Sequence, residues 1–178
     1  LAFRSRRVDL AEKAFQENKG AESLWQKANA EARAKAYDLS NMTLKMLKDE
    51  TGPSTLAEEA DFLMAQNLIL SGGYSDEQHS EARDIFKRYF VPWDVHERPS
   101  SALDQRKRIL SLRARVGTLE SYVLEVSAVK VTMRNLYEKQ GKQGGKLSGE
   151  DVIRFRRLDA LADQIAMEFS RPANKIYV

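Results

Sequence analysis

Trp25, Ala28, Ala32, Ala36, Leu39, Met42 and Met46 recur at steps of three and four. That spacing lines one face of an α-helix. The Ala-rich run Lys27–Tyr37 has high helix propensity. The pattern predicts one long helix from about Ser5 to Lys48, with Gly20 the position where it would kink or break. At 1.5 Å per residue it would be on the order of 65 Å long. Thr51-Gly52-Pro53 ends it, because glycine suits a helix C-cap and proline cannot continue the helix.

Two shorter helices follow. Thr55 with Glu58 has capping-box spacing and opens one that stops at Gly72-Gly73. Ser75 with Gln78 opens the next, which carries Ala82, Ile85, Phe86 and Tyr89 on one face and must end before Pro92. Ser101 with Asp104 then starts a helix running to about Gln140. Along it Ile109, Leu112, Val116, Leu119, Val123, Val126, Lys130, Met133 and Tyr137 alternate at three and four. This is a coiled-coil type of seam, apolar except at Lys130, and is expected to face inward. Gly117 lies beside it, where a second helix could approach closely. After the Gly141–Lys146 loop, Ser148 and Asp151 cap a last helix. Val152, Phe155, Leu158, Leu161, Ala162, Ile165 and Phe169 turn inward on it, and Pro172 stops it. No stretch shows the strict alternation of a strand.

The expected fold is therefore all-α: an elongated antiparallel bundle of three long helices. A short two-helix appendage is inserted between the first and second long helices. Residues 1–178 read as a single helical domain, with a long helix over 1–50. An acidic helical appendage and aromatic joint cover 51–99, and a helical hairpin with a short tail covers 100–178.

Charge is segmented along this frame. No Lys or Arg occurs between Lys48 and Arg83, and that gap carries a net of −8. Residues 1–48 carry +4 and residues 83–178 carry +7, so the whole chain is only +3. Such asymmetry bears on partner choice. Arg106, Lys107, Arg108, Arg113 and Arg115 crowd the start of the fourth helix, and Arg154, Arg156 and Arg157 the start of the fifth. These eight are the candidate polyanion-binding residues. In antiparallel helices the two clusters sit at opposite ends and do not merge into the continuous stripe that nucleic-acid binding prefers. Basic residues at helix N-termini also oppose the helix dipole. The acidic 49–81 segment or a partner is expected to compensate them.

The stretch "YFVPWDVHERP", Tyr89–Pro99, interrupts the helices with three aromatics and two prolines. Two readings stand side by side. Its aromatics anchor the exit of the third helix, or Tyr89, Phe90, Trp93 and Arg98 form an exposed patch of the composition that concentrates binding energy.

Site chemistry is sparse. The chain has no cysteine, which excludes disulfides, thiolate metal sites and cysteine nucleophiles. His79 and His96 are the only histidines, and neither has a second nitrogen or sulfur ligand at metal spacing. Serines 54, 75, 100, 101 and 148 sit at helix starts, where capping accounts for them. "GKQGGK" lacks the phosphate-loop consensus and follows a helix rather than a strand. No apolar run reaches the roughly 18–20 residues that span a bilayer. No signal-peptide core follows the basic start, although a chain beginning at Leu1 leaves a removed leader open, and no compartment is assigned.

A long first helix, a small helical insertion and two further long helices resemble the minor pilus-tip proteins of bacterial type IV secretion systems. "RARVGTLESY", Arg113–Tyr122, is similar in style to their third helix. The resemblance implies a structural or assembly component of a secretion or conjugation apparatus. The functional expectation is a non-enzymatic helical-bundle protein that mediates protein–protein interaction or self-association in a larger assembly. No cofactor, metal or small-molecule substrate is inferred for it. The alternative is a polyanion-binding module for nucleic acid or an anionic surface, such as a nucleoprotein or coat protein.

Overall fold

The computed structural model describes residues 8–9, 20–72, 76–91, 97–142 and 148–170. Among the described residues there are no strands, and six helices pack against one another: α1 (Ala21–Arg33), α2 (Tyr37–Thr51), α3 (Thr55–Gly72), α4 (Asp76–Lys87), α5 (Ala102–Lys142) and α6 (Gly149–Ser170). Each packs on its neighbours in the chain, and α3 also touches α5. Cross-helix pairings such as Lys48–Asp61, Phe62–Phe86, His79–Ser121 and Lys139–Asp151 make α2 to α6 alternate in direction. Consequently α3 and α5 run parallel, with their starts side by side.

The single long first helix does not form across 21–51. Its expected span before Val8 and over 10–19 lies outside the described residues. Gly20 is the N-cap of α1 in an extended conformation. The decisive break comes at Ala34-Lys35-Ala36. Lys35 adopts a left-handed φ of 63°. Its N–H donates to the carbonyl of Ala32 at 2.9 Å and that of Ala36 to Glu31 at 2.9 Å. This is a Schellman cap, which usually has glycine where Lys35 stands. The turn lets α2 pack back on α1. Ser40 Oγ donates to the Ala28 carbonyl at 2.8 Å, and Thr43 Oγ1 to Glu31 Oε2 at 2.8 Å. The phase of α2 follows from these contacts. Ser40, Thr43, Leu44 and Leu47 are buried, while Leu39, Met42 and Met46, expected inward, are exposed. The three-long-helix arrangement, and the resemblance that leaned on a long first helix, lose this element.

The acidic pair is likewise no appendage. Residues Ala60, Phe62, Met64, Ala65, Leu68 and Ile69 of α3 occupy the centre of the main core, between Leu24, Ala28, Leu44 and Leu47 on one side and Ala82, Ile85 and Phe86 on the other. Leu110 and Ala114 of α5 close it. A helix apolar on nearly every side is one surrounded by partners. Within it Asn67 is 1% exposed, and its Nδ2 donates to Ser40 Oγ and to Asn41 Oδ1, each at 2.9 Å.

Helix α5, 41 residues and about 60 Å long, extends beyond this core. Its C-terminal half packs on α6 through a second cluster of Val129, Leu136 and Leu158, with Met133, Phe155, Leu161 and Ala162 against it. Of the expected caps, Ser101 and Ser148 act as read, one is corrected, and Ser75 lies outside the described residues. Ser101 Oγ accepts from Asp104 N–H at 3.1 Å and Ser148 Oγ from Asp151 N–H at 3.2 Å. At α3, however, Ser54 rather than Thr55 caps, accepting from Ala57 N–H at 3.1 Å. That leaves the Glu58 carboxylate for an ion pair with Arg106.

Candidate interaction surface

At the joint after α4, the structure ties Tyr89 and Phe90 inward. The Tyr89 hydroxyl donates to Asp61 Oδ2 at 2.7 Å, and Lys48 pairs with the other oxygen of the same nearly buried carboxylate. The Tyr89 ring lies 5.0 Å from that of Phe62. Burial, reinforced by the Asp61 hydrogen bond and charge, raises the Tyr89 phenol above its ordinary range. Phe90 is half-buried under the Arg115 guanidinium, 5.0 Å from ring centre. Val91 N–H donates to Ser111 Oγ at 3.0 Å. Arg98 is exposed. Trp93 and His96 lie outside the described residues.

The basic start of α5 meets the acidic start of α3, because the two helices run parallel. Arg106 pairs with Glu58. Arg113 forms a two-pronged bond to Glu59, at 2.6 and 2.9 Å, and stacks 4.5 Å over the Phe62 ring. The Arg113 bond holds the Glu59 carboxyl below its usual range, and Glu59 in turn raises Arg113. Arg108 bonds to Asp104 on the preceding turn and to the Glu97 carbonyl. The Ser100 N–H and then Arg108 depress the Asp104 carboxyl. So the acidic segment compensates Arg106 and Arg113, while Arg108 finds its partners at the start of α5 itself. Lys107 remains exposed, as do Arg154, Arg156 and Arg157 at the far end of the molecule. There Lys139 and Ser148 hold Asp151 low, which places the start of α6 beside the end of α5.

A buried polar cluster joins α4 to α5. His79 Nδ1 is 3.1 Å from Ser121 Oγ, and Arg83 donates to Ser121 at 3.3 Å and to Glu125 Oε2 at 2.5 Å while lying 4.4 Å over the Tyr122 ring. A serine beside a histidine is the start of nucleophile chemistry. Here both side chains are 0% exposed, and Ser121 Oγ also lies 3.4 Å from the carbonyl of His79 itself. The geometry is that of an interhelical tie. Among the described residues no group of three His, Asp or Glu is placed to hold a metal ion, and no helix is long and apolar enough to cross a membrane.

What the reading of the sequence misplaced is the seam of α5. Ile109, Leu112, Val116 and Val123 were expected inward and are exposed, with Val116 at 50% and Val123 at 54%. Leu119 and Val126 are half-exposed. The face in the core is instead Leu110, Ser111, Ala114, Thr118, Ser121, Tyr122, Glu125 and Val129. At 100° per residue the two rows are centred roughly 150° apart, so α5 is built to pack on both sides. Small residues, Ser111, Ala114, Thr118 and Ser121, make the middle of the buried row, where α4 comes close. A Cβ on Gly117 would stand 2.4 Å from the Phe86 ring. At the C-terminal end of the stripe α6 packs against Met133, and Tyr137, itself exposed, meets Phe155 edge-on at 5.4 Å. From Ile109 to Val126 nothing covers it among the described residues.

The chain matches no protein-family model, no curated protein and no solved structure.

Proposed function

We propose that this chain is a non-enzymatic helical protein that acts by binding protein within a larger assembly, and that the open face of α5 is the surface it uses. The observation that carries this reading is the apolar stripe from Ile109 to Val126, on a helix whose opposite face is already in the core. Contiguous exposed apolar surface is uncommon on a monomer and marks interaction sites. The flanking arginines fit the composition of such surfaces. The polyanion alternative is weakened by the same geometry. Arg106, Arg108 and Arg113 already serve carboxylates of their own fold, and the α6 arginines stand on the order of 40 Å along α5 from them.

The test is site-specific photo-crosslinking in the cells that make the protein. A crosslinker at Val116 or Val123 is expected to trap a defined protein adduct, while one at Glu81, exposed on α4, traps none. No adduct from either stripe position overturns the reading.

A further inference from the structure

Resting on that reading, we propose that the open face of α5 pairs antiparallel with the same face of a second copy of this chain, about a twofold axis between Gly117 and Thr118.

The argument is the symmetry of the stripe under reversal. In an antiparallel pair of helices, position i of one faces a position j of the other such that i and j sum to a constant. A centre between 117 and 118 sets Val116 against Leu119 of the second copy, Leu112 against Val123, and Ile109 against Val126. All are apolar. One step further out, Gln105 meets Lys130, so a polar pair closes the seam at both ends. Self-complementarity of this kind is what a closed twofold interface requires, since the same patch must serve both sides. The stretch left open also ends in the right places. Beyond Val126 the seam turns polar at Lys130 and then packs on α6 through Met133, and before Ile109 it becomes polar.

Charge agrees with the register. On the free flank of the stripe, Arg113 and Glu120 lie one heptad apart. With the axis at 117–118 each comes within about 3 Å, along the helix axis, of the level of the other's counterpart in the second copy. Two opposite-charge contacts follow, symmetric by construction, at positions where such pairs set partner orientation in coiled coils. Glu120 is exposed and makes no ion pair or hydrogen bond among the described residues. Arg113 reaches Glu59 with its guanidinium still partly open to solvent.

Sedimentation equilibrium of the full chain from 1 to 200 μM tests the pairing, with dimer expected at micromolar concentrations. Val116→Glu with Val123→Glu is expected to leave a monomer throughout. Both positions are exposed, so the circular dichroism spectrum of that variant should match the parent, and its Tm should match that of the parent diluted below its dimer dissociation constant. Glu120→Arg is expected to weaken dimerisation at least tenfold. Register is read by cysteine. The chain has none, so Ile109→Cys mixed with Val126→Cys should oxidise to the mixed disulfide in preference to either homodimer. An Ile109→Cys homodimer, or a chain monomeric at 200 μM, overturns the proposal. In the monomeric case a cellular adduct from Val116 would show the face serving a different protein, and its absence would remove the wider reading too.

Discussion

The ring of Phe86 fills the space that a Cβ on Gly117 would need, with Cζ, Cε2 and Cε1 at 2.4, 2.7 and 2.8 Å from that point. The two residues set how closely α4 and α5 approach. Gly117 lies in mid-helix, where glycine costs about 1 kcal/mol relative to alanine. The fold accepts that cost to seat Phe86. Gly117→Ala is therefore expected to destabilise by about 1–2 kcal/mol net, overpacking outweighing the gain in propensity. In urea denaturation, Phe86→Leu should be less costly in the Gly117→Ala background than in the parent. A stabilising Gly117→Ala would refute the contact.

The same contact explains what the sequence concealed. Several helix ends were legible because they carry a local signal, Ser101 and Ser148 as caps and Gly52-Pro53 as a stop, whereas the break at Lys35 carries none. Gly52 indeed takes φ 57°. The face of α3 was unreadable for a different reason, since it is apolar nearly all round and buried nearly all round. On α2 and α5 hydropathy pointed the wrong way. Large residues such as Met42, 63% exposed, look outward, while Ser40, Ser111, Thr118 and Ser121 are buried. Small hydroxyl residues score as surface, yet they allow close helix approach and satisfy their own hydrogen bonds on nearby carbonyls. Thr118 bonds to Ala114, and Ser40 to Ala28. A second row of small residues at helical spacing, Ser111, Ala114, Thr118 and Ser121, was the available signal. The bland anchor reading of the joint needed tertiary partners, Asp61 and Ser111, that no local spacing reveals.

Lys35 sits in a left-handed cap with no side-chain reason to be lysine. A non-glycine residue there costs roughly 1–2 kcal/mol, part of which glycine returns as unfolded-state entropy. Lys35→Gly is expected to raise stability by about 0.5–1 kcal/mol, whereas Lys35→Ala should leave it nearly unchanged. Thermal denaturation of both variants checks this. If Lys35→Gly lowers Tm, the turn between α1 and α2 is not as described.

Tyr89 gives the fold an alkaline limit. Its phenol is raised by burial and by Asp61, so its contribution is fully present below the unfolded value of about 10 and is lost as pH rises above it. Tyr89→Phe is expected to cost about 1–2 kcal/mol at neutral pH and to flatten the loss of stability above pH 10. Spectrophotometric titration should show one phenol fewer resisting ionisation in the variant than in the parent. Equal alkaline profiles would remove Tyr89 from the Asp61 network.

Glu59 works in the opposite direction. Its carboxyl is depressed by Arg113, so the stabilisation is present above the unfolded value of about 4.3 and disappears as pH falls through the lower folded one. The pair is partly open to solvent, which limits its worth to about 1 kcal/mol or less. Glu59→Gln should lower stability slightly at pH 7 and be indistinguishable from the parent near pH 2–3. Raising salt to 1 M should narrow the difference at pH 7. A gap that persists at low pH would mean the side chain acts by packing.

The ion pair between Arg83 and Glu125 is the reverse case, since it is buried. Glu125 is 1% exposed, its Oε2 accepts from Arg83 at 2.5 Å, and its Oε1 has no hydrogen-bond partner among the described residues. Removing one member of such a pair strands a charge in the core at about 3–5 kcal/mol, while replacing both with apolar residues of similar size is often close to neutral. Glu125→Leu alone should therefore be severely destabilising, and Arg83→Met with Glu125→Leu should recover most of the loss. The buried row lies across the helix from the open stripe, so the double variant should keep the self-association of the parent at equal concentration. A Glu125→Leu cost under about 1 kcal/mol would mean that Arg83 swings out to solvent. The tie between α4 and α5 would then rest on Phe86 and Gly117 instead.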